Sequence, residues 1–427
     1  MTRLDFTRHT FANGLRIVLH RRCDMPIICL TVAYNVGSKD EAPGRTGFAH
    51  LFEHLMFDGS AHVPRGAFDK YCELAGGHNN AYTHEDKTVY YTVLPSHQLE
   101  LGLWLESDRL MSLNLTEEGF ETQRSVVMEE KLQRVDNQPY GTWDTRMSEL
   151  LYPGHPYGHP VIGSMDDLAA ATMDDVTDFH RSYYRPDNAA LVLAGDFDPD
   201  KALTLLESYF APIAPGGAVL RPANNTIISA GDIRETHSDA VPLPGVFIGR
   251  RIPDENNDDF LALDVLSDLL GSGETSRLHH ALVYDQQIAG QASAYVDARR
   301  YPGLFVVYAT ATPGTRADHL EEAIENELHR LIEHEISARE LDKARNRIES
   351  LYMQHLQSLN LCADRLAHYA LFDDNPDLIN SNLEKYLAVT AADVHRAAQR
   401  YLGSGNRVVL HYIPDGSGDP GTEAVLD

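Results

Sequence analysis

His50-Leu51-Phe52-Glu53-His54 places two imidazoles and a carboxylate within five residues. On a helix, positions i and i+4 stack on one face with i+3 beside them. His50 and His54 can therefore hold one metal ion from one side, leaving Glu53 beside the ion's open position as a base. This is the reverse of the His-Glu-x-x-His order, and it suits a metal-activated water. With 21 histidines in 427 residues, roughly one chain in ten of this composition would contain the pattern by chance, so its surroundings decide its weight. The alternative is a core helix with two satisfied histidines.

The surroundings favour a buried helix that ends on cue. Gly47 precedes it, Leu51, Leu55, Met56 and Phe57 offer an apolar face, and Asp58-Gly59-Ser60 supplies a stop. β-Branched and aromatic residues predict strands over 15–18 and 27–34 leading into it. A short helix over 66–75 ends at Gly76-Gly77, and strands over 80–83 and 88–94 flank the polar turn His84-Glu85-Asp86-Lys87. Long helices are expected over 98–111 and 117–135, and another over 203–210. A catalytic zinc keeps three protein ligands and one open position. The stretch from Glu121 to Lys131 offers Glu129 and Glu130 as the third.

The chain also repeats itself. Asp175, Val176, Tyr183 and Asn188 recur 218 residues later as Asp393, Val394, Tyr401 and Asn406, and Leu191-Val192 is answered by Val409-Leu410. The stretch from Gly245 to Arg251, followed by a helix over 260–270, resembles the strand and helix that carry His50. That second helix has only Asp264 and Asp268 as ionisable residues, so one half alone carries the metal motif. Pro and Gly mark the connection near 211–217 and 222–225. The expected domains are 1–211, with the metal motif, and 229–427, homologous but without the ligands, joined by a linker over 212–228.

With these residues in view, the chain resembles the pitrilysin, or insulinase, family of metallopeptidases, within the short subgroup that includes the mitochondrial processing peptidase. The family pairs His-x-x-Glu-His with a glutamate about 75 residues on, after a run of aliphatic residues; Glu130, behind Val126-Val127-Met128, matches it. Asn79-Asn80-Ala81-Tyr82-Thr83 resembles the family's substrate-binding edge strand, and Asp136-Asn137-Gln138-Pro139-Tyr140-Gly141 and Tyr184-Arg185-Pro186-Asp187-Asn188 resemble other recurring segments. The resemblance implies an α+β fold of two duplicated domains, each a mixed sheet packed with helices. It implies one Zn2+ per chain on His50, His54 and Glu130, with Glu53 as general base. Asn80, Ala81 and Tyr82 would align a peptide substrate through main-chain bonds. The expected activity is that of a zinc metalloendopeptidase acting on peptides or oligopeptides. The rival is a non-catalytic structural or peptide-binding relative similar to the core proteins of respiratory complexes, which would have lost ligands that are all present here.

Two departures from the family pattern stand out. Many relatives have a second glutamate seven residues before the metal-binding one, where this chain has Gln123, an amide that can hydrogen-bond beyond the ligands but cannot offset charge. Single-chain and homodimeric relatives also have an arginine and, seven residues on, a tyrosine in the second half. Aligned on Ser276-Arg277-Leu278, these fall on Val283 and Gly290. The resemblance then implies a heterodimer whose homologous partner subunit supplies the pair, or else a homodimer in which Tyr284, Tyr295 or Arg277 takes it over. The two chains would enclose the peptide in a chamber.

Composition narrows the remaining classes. A net charge of −27 opposes nucleic acid and anionic membrane surfaces, and no apolar run approaches a membrane span. The first residues lack a signal-peptide layout, so cytoplasmic residence is the default expectation. The four cysteines, Cys23, Cys29, Cys72 and Cys362, have neither zinc-knuckle spacing nor disulfide density and read as reduced thiols.

Overall fold

The computed structural model describes residues 3–219, 221, 231–403 and 405–416. Of the expected linker, residues 220 and 222–228 lie outside these. The first sheet contains β1 (Thr7–Thr10), β2 (Arg16–Arg21), β3 (Ile27–Tyr34), β4 (His78–Thr83), β5 (Thr88–Pro95) and β6 (Ala189–Gly195), in the order β1-β2-β6-β3-β5-β4. The second contains β7 (Asp232–Asp239), β8 (Gly245–Ile252), β9 (Ala289–Asp297), β10 (Gly303–Ala311) and β11 (Arg407–Pro414), in the order β7-β11-β8-β10-β9. Apart from β1 the two orders are the same. Each sheet has one parallel pair, β2 with β6 and β7 with β11, among antiparallel neighbours. The sheets are mixed and packed with helices, so the fold is α+β.

The sequence repeat has a physical counterpart in its caps. Helices Met173–Tyr183 and Ala391–Tyr401 begin at Thr172 and Thr390, and each closes a capping box with the aspartate three residues on, Asp175 or Asp393. Each is followed in the chain by the strand at the same place in its sheet, β6 or β11.

The first four α-helices after β3 are α1 (Phe48–Leu55), α2 (Ala67–Leu74), α3 (Leu99–Ser112) and α4 (Glu117–Lys131). The central strands β3 and β6 are buried on both faces, and their alternation sorts large from small side chains. Ile28, Leu30, Val32 and Tyr34 of β3 join the core that also takes Leu51, Phe52 and Leu55 of α1. Cys29 and Ala33, with Ala190, Val192 and Ala194 of β6, face the other way, onto the helix Leu359–Phe372. Small residues on that face let the helix backbone approach closely.

That helix comes from the second half of the sequence. Two compact units form, and each takes one segment from the opposite half: Leu351–Leu383 belongs to the unit with the first sheet, and Leu132–Gly158 to the unit with the second. Division at the linker and division by packing therefore differ. The helix expected over 117–135 is α-helical only to Lys131 and continues as a π-helical turn, Leu132–Asp136, where the chain passes into the second unit. No described helix is long and apolar enough to cross a membrane.

Candidate metal centre

Helix α1 starts where a side chain is excluded. Gly47 has φ of 89° and precedes the first helical turn; a Cβ there would come within 2.7 Å of the Ile162 carbonyl oxygen. Glycine offers no capping side chain, and the buried Glu41 takes over that role. Its Oε2 accepts from Gly47 N (2.8 Å) and its Oε1 from Ala49 N (2.7 Å). Burial pushes the Glu41 carboxyl well above its ordinary range, against the pull of these two donors. Phe52 anchors the helix from the opposite side, packing against the rings of Phe179 and Tyr184 at 5.4 and 5.1 Å.

With the core face fixed, His50 and His54 point away from it. Their rings meet edge-on with centroids 5.0 Å apart. Helix α4 packs beside α1, with Val127 and Phe120 buried, and this turns Glu130 toward the histidines. Glu130 Oε2 lies 3.3 Å from His54 Nε2 and 3.8 Å from His50 Nε2. Among the described residues these three form the one group whose potential metal-ligand atoms all lie within 4.8 Å of one another. Tetrahedral zinc with bonds of about 2.0–2.1 Å sets its ligand atoms about 3.3 Å apart. Two imidazole nitrogens and one carboxylate oxygen at these spacings fit zinc without rearrangement of the backbone. The alternative third ligand, Glu129, is exposed.

Glu53 sits on the same turn as the histidines, and its Oε2 accepts from Thr83 Oγ1 at 2.6 Å. Thr83 ends β4, which pairs only with β5 and forms one edge of its sheet. The turn-closing bond from His84 N to Lys87 O sets the alternation along this ladder. Asn80 and Tyr82 direct their main-chain groups to β5, whereas Asn79, Ala81 and Thr83 direct theirs outward. The Ala81 N–H is accepted by the neighbouring Asn80 Oδ1 at 2.8 Å. Of Asn80, Ala81 and Tyr82, then, Ala81 presents its backbone to the open edge. The Tyr82 phenol turns to the opposite face of the sheet and bonds Asp364.

Gln123 lies two turns before Glu130, and its amide donates to Asp58 Oδ1 at 3.3 Å. Asp58 also accepts from Arg65 Nε at 3.0 Å. The spacing along α4 was legible, but the partner was not. Thr83, Glu41 and Asp364 carried no such signal, because their roles depend on strand parity and on contacts between segments distant in sequence. A second chemically suggestive set, Ser60, His62 and Asp108, is a clamp. Both Ser60 Oγ and His62 Nδ1 bond the Asp108 carboxylate, so the histidine is not placed as a base for the serine.

Residues 17–164 match the family described as Insulinase (Peptidase family M16), and residues 170–348 match its companion, the Peptidase M16 inactive domain. The chain belongs to the peptidase M16 family. It is similar to the zinc protease PqqE of Helicobacter pylori, 32% identical over 401 residues, covering 92% of this chain and 89% of that protein. An uncharacterized zinc protease of Bacillus subtilis, YmxG, is 24% identical over 353 residues, covering 83% and 85%. The crystal structure of a protease from Helicobacter pylori superposes with a TM-score of 0.92 at 30% identity, covering 96% of this chain and 99% of that one. A peptidase M16 inactive domain from Pseudomonas fluorescens superposes at 0.87 with 15% identity, covering 98% and 100%, a likeness of fold alone.

Proposed function

We propose that this M16 chain is a zinc metalloendopeptidase that hydrolyses peptides or oligopeptides. The observation carrying the reading is that His50, His54 and Glu130 converge beside Glu53, which is bonded to an open sheet edge. The 1–211 half then carries the catalytic domain, and 229–427 the homologous domain without ligands. His50, His54 and Glu130 hold one zinc ion. Bound there, zinc supplies a Lewis acid that can lower the pKa of water from about 15.7 to about 7. Glu53 takes up the water's proton at a carboxylate oxygen and returns it to the leaving amine nitrogen, and Thr83 fixes the carboxylate for both transfers. The outward main-chain groups of Asn79, Ala81 and Thr83 align the peptide as an added strand. Such binding reads extended shape and flexibility more than side-chain identity.

The same reading includes a second chain. Gly290 is exposed on β9, an edge strand, where a Cβ would come no nearer than 4.0 Å to the Ala311 carbonyl oxygen. A tyrosine would fit there, yet the chain has none. Arg277, one candidate for a substitute role, is engaged with Glu340 at 2.8 Å. These facts favour a heterodimer whose homologous partner supplies an arginine and a tyrosine, ahead of a homodimer relying on Tyr284, Tyr295 or Arg277. Purified alone, the chain is expected to hold one zinc ion and to cleave an unstructured peptide slowly, with faster cleavage once the partner is added. Absence of zinc would overturn the enzymatic reading. Full activity without a partner would overturn the heterodimer.

A further inference from the structure

The hairpin formed by β4 and β5 is held from below by a side-chain cluster that plays no part in the chemistry above. Tyr82 of β4 donates its hydroxyl to Asp364 Oδ1 at 2.5 Å. Lys87, in the turn before β5, reaches the same carboxylate at 3.1 and 3.4 Å, and its ammonium lies 5.3 Å from the centre of the Tyr82 ring. Asp364 belongs to the helix Leu359–Phe372, which packs on the sheet face opposite α1. One carboxylate from the second half of the sequence thus ties together the end of β4 and the start of β5.

An edge strand has a ladder on one side only, so side chains must supply the restraint that a second neighbouring strand would give. At the end of β4 successive residues do so on opposite faces: Tyr82 to Asp364, and Thr83 to Glu53. Moving the Tyr82 end would tilt the outward amides of Ala81 and Thr83 away from α1. We propose that Asp364 is a positioning residue for the substrate-binding edge, holding β4 through Tyr82 and Lys87 in the phase that presents its outward main-chain groups beside Glu53. The inference rests on the reading of β4 as the edge that receives the peptide.

The test uses the full chain, assayed with its partner if the partner is required. Asp364→Ala, with Asp364→Asn as the milder variant, is compared with the parent protein for zinc content, melting temperature and peptide kinetics. Hydrogen exchange is followed over 78–95. The expected result is a KM for a long unstructured casein peptide raised about fivefold, the factor for one lost hydrogen bond. Turnover stays within about twofold, bound zinc is retained, and exchange over 78–95 is faster. Asp364→Asn, which keeps an acceptor for Tyr82, is expected to fall between the two. An unchanged KM with a lowered melting temperature in either variant would make Asp364 a purely structural residue and overturn the proposal. If the parent chain holds no zinc and cleaves nothing, the proposed activity falls. Affinity for a fluorescein-labelled casein peptide, read by anisotropy, then decides this point on its own: equal affinity in parent and variants overturns it.

Discussion

Thr83 Oγ1 donates to Glu53 Oε2 over 2.6 Å, joining the edge of the first sheet to the helix that carries both candidate histidine ligands. Thr83→Val keeps the shape and removes the donor. A hydrogen bond to a charged group is worth about 1.5–3 kcal/mol, so turnover is expected to fall roughly tenfold or more, with bound zinc retained. Thr83→Ser is expected to restore most of the loss. Equal turnover in the valine variant and the parent would reduce the bond to packing.

Metal analysis separates ligands from base. Glu53→Gln is expected to keep its zinc and lose hydrolysis, whereas His54→Ala loses both. Equal loss of zinc in the two variants would reassign Glu53. Glu130→Ala is expected to weaken zinc by more than the roughly 10–100-fold that an outer partner is worth, while Glu129→Ala, on the exposed side of α4, leaves it bound. The reverse result would move the third ligand by one residue.

Proline at Ala81 probes the open edge. Because the Ala81 N–H is directed away from β5, Ala81→Pro removes a donor without breaking the ladder. The expected effect is a higher KM for long peptides and an unchanged melting temperature. A folding defect would instead mean that the N–H is spent inside the sheet.

Acid titration tests the Arg277 anchor. Burial alone would raise the Glu340 carboxyl, but Arg277 and the Ser337 hydroxyl and N–H outweigh it and bring Glu340 down from its ordinary 4.5 to about 2. A carboxyl depressed in the folded chain stabilises fully above its unfolded pKa, and the contribution is lost as pH falls toward the folded value. Glu340→Gln should therefore lower the melting temperature at neutral pH, with the gap closing between about 4.5 and 2. A gap independent of pH would mean that the ion pair contributes little.

Grafting tests the missing pair. Gly290 has room for a side chain, and Val283 is only partly buried, so Val283→Arg with Gly290→Tyr is expected to fold. In a zinc-loaded chain without partner it should raise kcat/KM, by up to the roughly 100-fold or more that one oxyanion donor can supply. No gain in a folded double variant would count against the supply of these groups in trans.

Much of the candidate site was legible because its determinants are local. The i, i+4 spacing of His50 and His54, the glycine before α1 and the β-branched and aromatic composition of β3 and β5 follow from period, turn chemistry and strand propensity alone. The parity of β4 was not legible: whether Asn80 or Ala81 faces outward depends on the closing bond from His84 to Lys87, which shifts with one residue of turn length. Nor did the sequence reveal which helix covers Cys29, Ala33, Ala190 and Ala194. Small residues record a close approach without naming what approaches. Gln123 was placed correctly along α4, but its partner Asp58 follows the end of α1, a relation fixed by tertiary packing.

The exchange of segments between the two halves has a consequence for synthesis. The helix that covers the back of the first sheet begins about 160 residues after β6 is complete. At roughly 5–20 residues per second, that face waits about 8–30 s on the ribosome for its cover, with apolar strands bare in the interval. Early release of the first half would leave it needing a chaperone. Limited proteolysis of stalled chains checks this: β2 to β6 should resist digestion only in nascent chains long enough to have released Leu359–Phe372 from the exit tunnel.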